Sequence, residues 1–377
     1  MSIQDNTFLL VIFLVFVLAS AIQLFYYLYF YLAVYLYKQK VDVKKKKEAV
    51  SVIICAKNEA CNLKKLLPSI LNQAYPNYEV IVVNDCSEDN SIEILEEYQK
   101  QYPHLRISNV KKDIKFTHNK KFAQFIGIKA AKNEILLFTD ADCKPESDLW
   151  LEMMTSHFNE KISFVLGYGG YLNENGLLNK YIRYDSVTIA MQYFGMAIHG
   201  LPYMGVGRNL AYRSSLFFAN KGYGTHNHLI SGDDDLFVNT NAKRNNTSVE
   251  FRKESHTRSI PYRQLNEWIS QKKRHLTTAP YYKFRDKLLL ITEPLTRIIF
   301  FTAFIILIFF SNLWPLVLAV FVLRLITQLI VFMLVQKKLN EPGLLFYSIF
   351  FDAFSPVINS IIFLSNTGNR SRKIKWK

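Results

Sequence analysis

Cysteine is scarce in this chain of 377 residues: Cys55, Cys61, Cys86 and Cys143 are the only four, and their spacing matches no zinc motif. That count and placement exclude a disulfide-stapled secreted domain and a structural zinc module, and the four read as free thiols. Acidic residues are also in deficit, with 31 Asp and Glu against 46 Lys and Arg, a formal charge of +15. Much of the excess sits in two clusters, Lys38 to Lys47 and Arg370 to Lys377. Neither has the interleaved aromatics or binding fold of a nucleic-acid module, so no nucleic-acid partner is expected. Internal repeats and low-complexity tracts are absent. Charge is missing altogether from Phe8 to Tyr37, a run longer than the roughly 20 residues that cross a bilayer. Ala19-Ser20-Ala21 resembles a cleavage site, but Met1 to Asn6 lacks the basic charge of a signal leader, so the run is expected to remain as an anchor.

Lysines follow the anchor at once, at Lys38, Lys40 and Lys44 to Lys47. By the positive-inside tendency they face the cytoplasm beside anionic headgroups, with the amino terminus outside. Three more apolar segments come late: Leu288 to Phe310, Leu313 to Val335, and Leu344 to Leu364, the last interrupted by Asp352 and Pro356. Three full crossings would carry the basic tail outside, so the last segment is expected to be re-entrant or interfacial. The organisation is then an anchor at 1–40, a cytoplasmic domain at 48–285, a carboxyl-terminal membrane region at 286–366 and a basic tail at 367–377. The expected location is the inner membrane of a bacterium, with the lipid bilayer as a partner.

Between the membrane parts, strand and helix patterns alternate. Strands are expected at Val50 to Ala56, Glu79 to Asn84, Leu105 to Val110 and Glu134 to Thr139, and helices at Asn62 to Asn72, Ser91 to Gln101 and Lys121 to Ala131. Such alternation predicts an α/β fold, a parallel sheet with crossover helices.

Two of these strands end in carboxylates. The run Glu134 to Thr139 delivers Asp140 and Asp142, which alternate along an extended chain so that both can turn toward one cation. Hard Mg²⁺ or Mn²⁺ is typically held by one or two carboxylates and a substrate phosphate, which points to a nucleotide diphosphate. An isolated Asp-x-Asp also occurs as a simple turn. Asn84-Asp85 closes the second strand in the same way, and ligands of open α/β sheets sit outside the carboxyl ends of the strands, so one crevice is expected to hold both acids.

In order along the chain, Ser51-Val-Ile-Ile-Cys-Ala-Lys57-Asn58-Glu59, Val-Val-Asn84-Asp85-Cys-Ser87, Asp140-Ala-Asp142 and Ser231-Gly-Asp233-Asp234-Asp235-Leu236 resemble a membrane-anchored family 2 glycosyltransferase of the GT-A fold. The resemblance spans about residues 48–280 and rests on the ordered set. It implies an inverting enzyme that uses a nucleotide-sugar donor and a divalent metal. It further implies that Asn58, Glu59 and Asp85 form the nucleotide pocket, with Lys120 and Lys121 near the base and phosphates. Phe125 stands where many members carry Asn. Asp140 and Asp142 match the metal motif, Asp142 as direct ligand and Asp140 nearer the sugar nucleotide. The general base falls in the acidic run: alignment on Gly232 gives Asp234, the first choice, and alignment on Leu236 gives Asp233. Gln271 and Arg274 match an element that holds the acceptor end and diphosphate, with His275 in place of its usual Trp. In Gly205-Val-Gly207-Arg208 to Arg213, either arginine can meet phosphate.

The expected function is transfer of one sugar, from a UDP-sugar, to a membrane lipid or lipid-linked glycan in envelope biosynthesis. A processive polysaccharide synthase is the nearest alternative, disfavoured by the few spans and by His275. A catalytically silent membrane scaffold is the alternative from another class.

Overall fold

The computed structural model describes residues 3–39, 47–111, 119–224, 229 and 231–367. Lys40, Lys44 to Lys46 and the basic tail beyond Thr367 lie outside these residues. The chain enters as one apolar rod, α1 (Ile3–Phe25), a π-helical segment (Tyr26–Tyr31) and α2 (Leu32–Leu36). The α/β part follows: β1 (Val50–Ala56), α3 (Ala60–Leu71), β2 (Tyr78–Asp85), α4 (Ser91–Gln101), β3 (Leu105–Val110), α5 (Lys120–Ala130) and β4 (Ile135–Asp140). Every expected strand and helix is present, with boundaries within about two residues. β1 is buried along its whole length, as a central parallel strand covered by helices on both faces must be. The Asn119 side chain caps α5 by accepting from Phe122 N–H at 2.9 Å, which fixes where Lys120 leaves the helix.

The second half is less regular: β5 (Cys143–Pro145), α6 (Trp150–Thr155), β6 (Phe164–Gly167), β7 (Gly169–Tyr171), α7 (Leu177–Ile198), β8 (Leu210–Arg213), α8 (Ser214–Ala219), α9 (Asp235–Asn241), β9 (Thr247–Glu250), β10 (Thr257–Ser259) and α10 (Leu265–Leu276). The large sheet runs β3-β2-β1-β4-β8-β6-β9, parallel from β3 to β4, with β8 antiparallel to both its neighbours. A small sheet, β5-β10-β7, stands beside it. It pairs the strand that follows Asp142 with a strand more than a hundred residues later, a contact that local pattern does not announce.

Three long helices close the chain: α11 (Phe284–Phe310), α12 (Trp314–Lys338) and α13 (Leu345–Thr367). With the amino-terminal rod they make, among the described residues, four helices long and apolar enough to cross a membrane. Inside the bundle, Phe16 stacks on Phe300 at 5.0 Å and Phe304 on Phe321 at 4.0 Å, while Leu14, Leu18, Phe309, Leu323 and Phe354 point outward. Buried charge ties the same helices together. Asp352 on α13 accepts from Tyr27 Oη at 3.0 Å and pairs with Arg324 of α12 and Arg297 of α11, and Arg297 also pairs with Glu293. Asp352 therefore does not break its segment, and α13 is one continuous helix through Pro356. Its far half turns back to the α/β part, where Ile358 and Ile362 share an apolar cluster with Trp268 of α10 and Tyr181 of α7.

Candidate functional site

Asp85 and Asp140 end β2 and β4, the two neighbours of β1, so they stand roughly 10 Å apart across two interstrand spacings. Both open onto the same edge of the sheet. The loops there are tied together. Asn58, in the left-handed region at φ 55°, donates from its backbone to Ser87 Oγ at 2.9 Å and accepts from Glu88 N–H at 2.8 Å. Glu59 N–H donates to Ser91 Oγ at 3.1 Å, and Ala60 N–H to Asp89 at 3.0 Å. Asp85 is fully buried, whereas Glu59 is partly exposed and accepts from Asn62 at 2.6 Å. Burial, with Asp142 and Asp140 nearby, pushes Glu59 up to about 7.

Lys120 joins the strand end to the acidic run. Its ammonium lies 2.7 Å from Asp140 and 3.4 Å from Asp233. Burial opposes its charge, but Asp140, Asp233 and Asp234 more than offset that and raise it well above the usual lysine range. Burial likewise works to raise Asp140, yet Lys120 holds it below the ordinary carboxylate value. Asp142 forms no ion pair among the described residues, and burial followed by repulsion from Asp140 pushes it up to about 6, against the weaker pull of Arg208 and Lys120. Lys121 departs from its neighbour: it is buried, donates to the Leu229 carbonyl at 3.0 Å, and burial lowers it to about 8.

The three acids of the run separate in space. Asp233 is buried beside Lys120. Asp234 caps α9 by accepting from Asp235 N–H at 2.8 Å, and its other oxygen accepts from Gly207 N–H at 2.7 Å. Asp235 points away, accepting from Tyr282 Oη at 2.6 Å and from the Thr278 hydroxyl.

The far wall comes from the small sheet and α10. Gln271 accepts from Tyr171 Oη at 3.2 Å, and Arg208 lies over the Tyr171 ring, 4.4 Å from its centre. Arg208 and Arg274 both help hold Asp140 down. Of the two arginines that sequence left open, Arg208 belongs to the site, whereas Arg213 lies over Phe158 and reaches Glu48 at 3.5 Å. Tyr171 was missed from sequence, because only the β7–β10 pairing, with Tyr171 opposite Ser259, brings it here.

A divalent cation fits. Asp140, Asp142 and Cys143 offer ligand atoms within 4.8 Å of one another, and two carboxylates suit Mg²⁺ or Mn²⁺. Cys143 is the poorer donor: its thiol lies 2.8 Å from Ser259 Oγ and donates to Asp142 at 3.2 Å, and burial with Asp142 keeps it protonated.

Acids at the ends of parallel strands, an Asp-x-Asp at the crevice lip and a mixed sheet beyond it define the GT-A class of fold. Residues 51–217 match the profile of glycosyl transferase family 2, and the chain carries a domain of that family. Relatives include the glycosyltransferase AglE of Haloferax volcanii, 32% identical over 199 residues, or 49% of this chain and 58% of AglE. The poly-β-1,6-N-acetyl-D-glucosamine synthase of Staphylococcus epidermidis is 30% identical over 143 residues, covering 37% of this chain and 34% of the relative. The chain thus spans little more than half of the former and a third of the latter. A structure of the mannosyltransferase PcManGT from Pyrobaculum calidifontis, in complex with GDP-Man and Mn²⁺, shares the fold at a TM-score of 0.58 and 16% identity, over 91% of this chain and 99% of that one.

Proposed function

We propose that this protein transfers a sugar, with inversion, from a nucleotide-sugar donor to a hydroxyl of a membrane-associated acceptor. The observation that carries the reading is the convergence of the Asp140 and Asp142 pair, Lys120 and Asp233, on the sheet edge where β2 ends in Asp85. Asp85 accepts from a base N–H, and Asp140 with Asp142 holds the cation. When bound, that cation supplies charge neutralisation to the departing diphosphate. Arg208 and Arg274 add positive charge on the acceptor side, and Tyr171 with Gln271 forms the surface on which the acceptor rests.

A carboxylate of the acidic run takes the proton of the acceptor hydroxyl. The freed oxygen bonds to the anomeric carbon from the face opposite the diphosphate, and the bond to the diphosphate breaks with its electron pair. Asp233 suits that base better than Asp234, whose two oxygens are committed to Gly207 and to the α9 cap. The active domain faces the cytoplasm of a bacterium, where nucleotide sugars are made. A lipid or lipid-linked glycan suits a crevice whose wall, α10, packs on the membrane helix α13.

The test is a donor screen on the full chain in detergent, following release of UDP or GDP from a panel of nucleotide sugars with Mn²⁺ and a membrane-lipid extract. Turnover of one donor that requires the extract is the expected result, with a UDP-sugar the first candidate. Absence of turnover together with absence of metal-dependent donor binding overturns it in favour of a silent scaffold.

A further inference from the structure

The turn between α12 and α13 is more polar, and more deeply held, than an anchor requires. Glu341, in that turn, is 1% exposed. Its carboxylate accepts from Arg183 Nε of α7 at 2.7 Å, from Tyr168 Oη at 2.8 Å and from Arg258 of β10. Both arginines also grip the turn backbone, Arg183 at the Pro342 carbonyl at 2.9 Å and Arg258 at the Asn340 carbonyl at 3.0 Å. Arg258 reaches Glu146 as well, at 3.1 Å, just past β5.

Arg258 is the middle residue of β10, directly opposite Lys144 of β5 and Gly170 of β7. Its neighbours in sequence act on the metal motif. Ile260 N–H donates to the Asp142 carbonyl at 3.2 Å, and Ser259 Oγ meets Cys143 Sγ at 2.8 Å. The space is closed on the other side too, because a Cβ on Gly170 would land on Arg258 and come within 2.7 Å of Glu341. One carboxylate from the membrane region thus pairs with two buried arginines of the α/β part, one of them, shared with Glu146, on the strand whose next residue holds the Asp142 carbonyl. Without it, two guanidinium groups stay buried with reduced compensation, a condition that moves the chain rather than being tolerated.

We propose that Glu341 is a positioning residue for the Asp140 and Asp142 pair: through Arg258 the α12–α13 turn holds β10, and with it β5, in the register that lets both acids face one cation. The carboxyl-terminal membrane hairpin is then a working part of the site. This rests on the metal role proposed above, so one readout is chosen to be independent of metal.

The full chain in lipid nanodiscs is compared as wild type, Glu341→Gln and Glu293→Gln, the last removing a buried acid from the membrane bundle far from β10. Hydrogen exchange is followed in peptides covering 141–147 and 256–262, and Mn²⁺ binding by electron paramagnetic resonance, below the melting temperature of all three. Glu341→Gln is expected to exchange about tenfold faster in both peptides and to bind Mn²⁺ about tenfold more weakly, with Glu293→Gln unchanged in both. Wild-type exchange in Glu341→Gln, with only a lower melting temperature, overturns the proposal. If wild type takes up no Mn²⁺, the metal role fails and exchange alone decides the positioning role. Should Glu341→Gln not fold, Gly170→Ala decides in the same assays, since it displaces the pair without removing charge.

Discussion

Asp233, Asp234 and Asp235 are adjacent in sequence yet occupy three environments, and each predicts a different mutant. Asp233→Asn is expected to leave donor binding within about twofold and to lower kcat by two orders of magnitude or more, as loss of a general base does. Asp234→Asn removes one backbone-binding oxygen and is expected to act mainly on stability, by about 1 kcal/mol. Steady-state kinetics beside thermal melting separates the two, and the reverse pattern would return the base to Asp234. Asp142→Asn is expected to abolish the metal dependence of donor binding, seen as equal nucleotide affinity with and without Mn²⁺. Asp235 carries a pH signature. Burial, then Asp234, raises it to about 7, above the value of about 4 in an unfolded chain. Between those values the folded protein holds a proton that the unfolded chain has shed, so stability falls as pH rises from about 4 to about 7. Asp235→Asn is expected to flatten that slope by about 2 kcal/mol between pH 5 and 7, measured as melting temperature against pH in both proteins.

Helix α7 carries the element-scale argument. It is buried on nearly every face, between the sheet and the membrane helices, and it presents Arg183 to the α12–α13 turn and Asp185 to Lys272 of α10 at 2.6 Å. Its contact with the amino-terminal rod is close: a Cβ on Gly195 would land on the backbone carbonyl of Phe30. Backbone cannot rotate away as a side chain does. Gly195→Ala is therefore expected to push the rod off α7 and cost about 1–3 kcal/mol, read as a lower melting temperature in detergent. An unchanged melting temperature would mean that the rod and α7 adjust freely.

At the scale of the molecule, α13 bears on topology. Three complete crossings after the α/β part would leave the chain end on the opposite side of the bilayer. The far half of α13 instead packs on α10, and α10 belongs to the α/β part. The end of α13 is therefore expected on the side of that part, which also satisfies the positive-inside tendency of the basic tail. A membrane-impermeant maleimide tests this in sealed vesicles: Cys61, which is exposed on the α/β part, and an introduced Ser365→Cys should label from the same face. Labelling from opposite faces would make α13 a full crossing.

Local chemistry made the first half of the domain legible. Buried strands read as apolar runs, two of them end where carboxylates appear, and Asp85, Asp140 and Asp142 follow from those ends because parallel strands deliver their termini to one edge, whereas Lys120 came from the family resemblance. The four apolar segments were equally plain, since lipid demands uninterrupted apolar length. What periodicity did not carry was everything that depends on contacts distant in sequence. The pairing of β10 with β5 and β7 brings Tyr171 and Arg258 to the metal motif across gaps no pattern spans. Only folding separates Asp233 from Asp234 by environment, removes Arg213 from the site and turns Lys121 inward. Asp352 read as an interruption because an isolated acid in an apolar segment is costly, and it became a tie once Arg297 and Arg324 met it from two other helices. Sequence thus determined which residues had to end strands or enter lipid, through propensity and solvation that act locally. The tertiary structure decided which charges would neutralise one another, because that depends on distance in space.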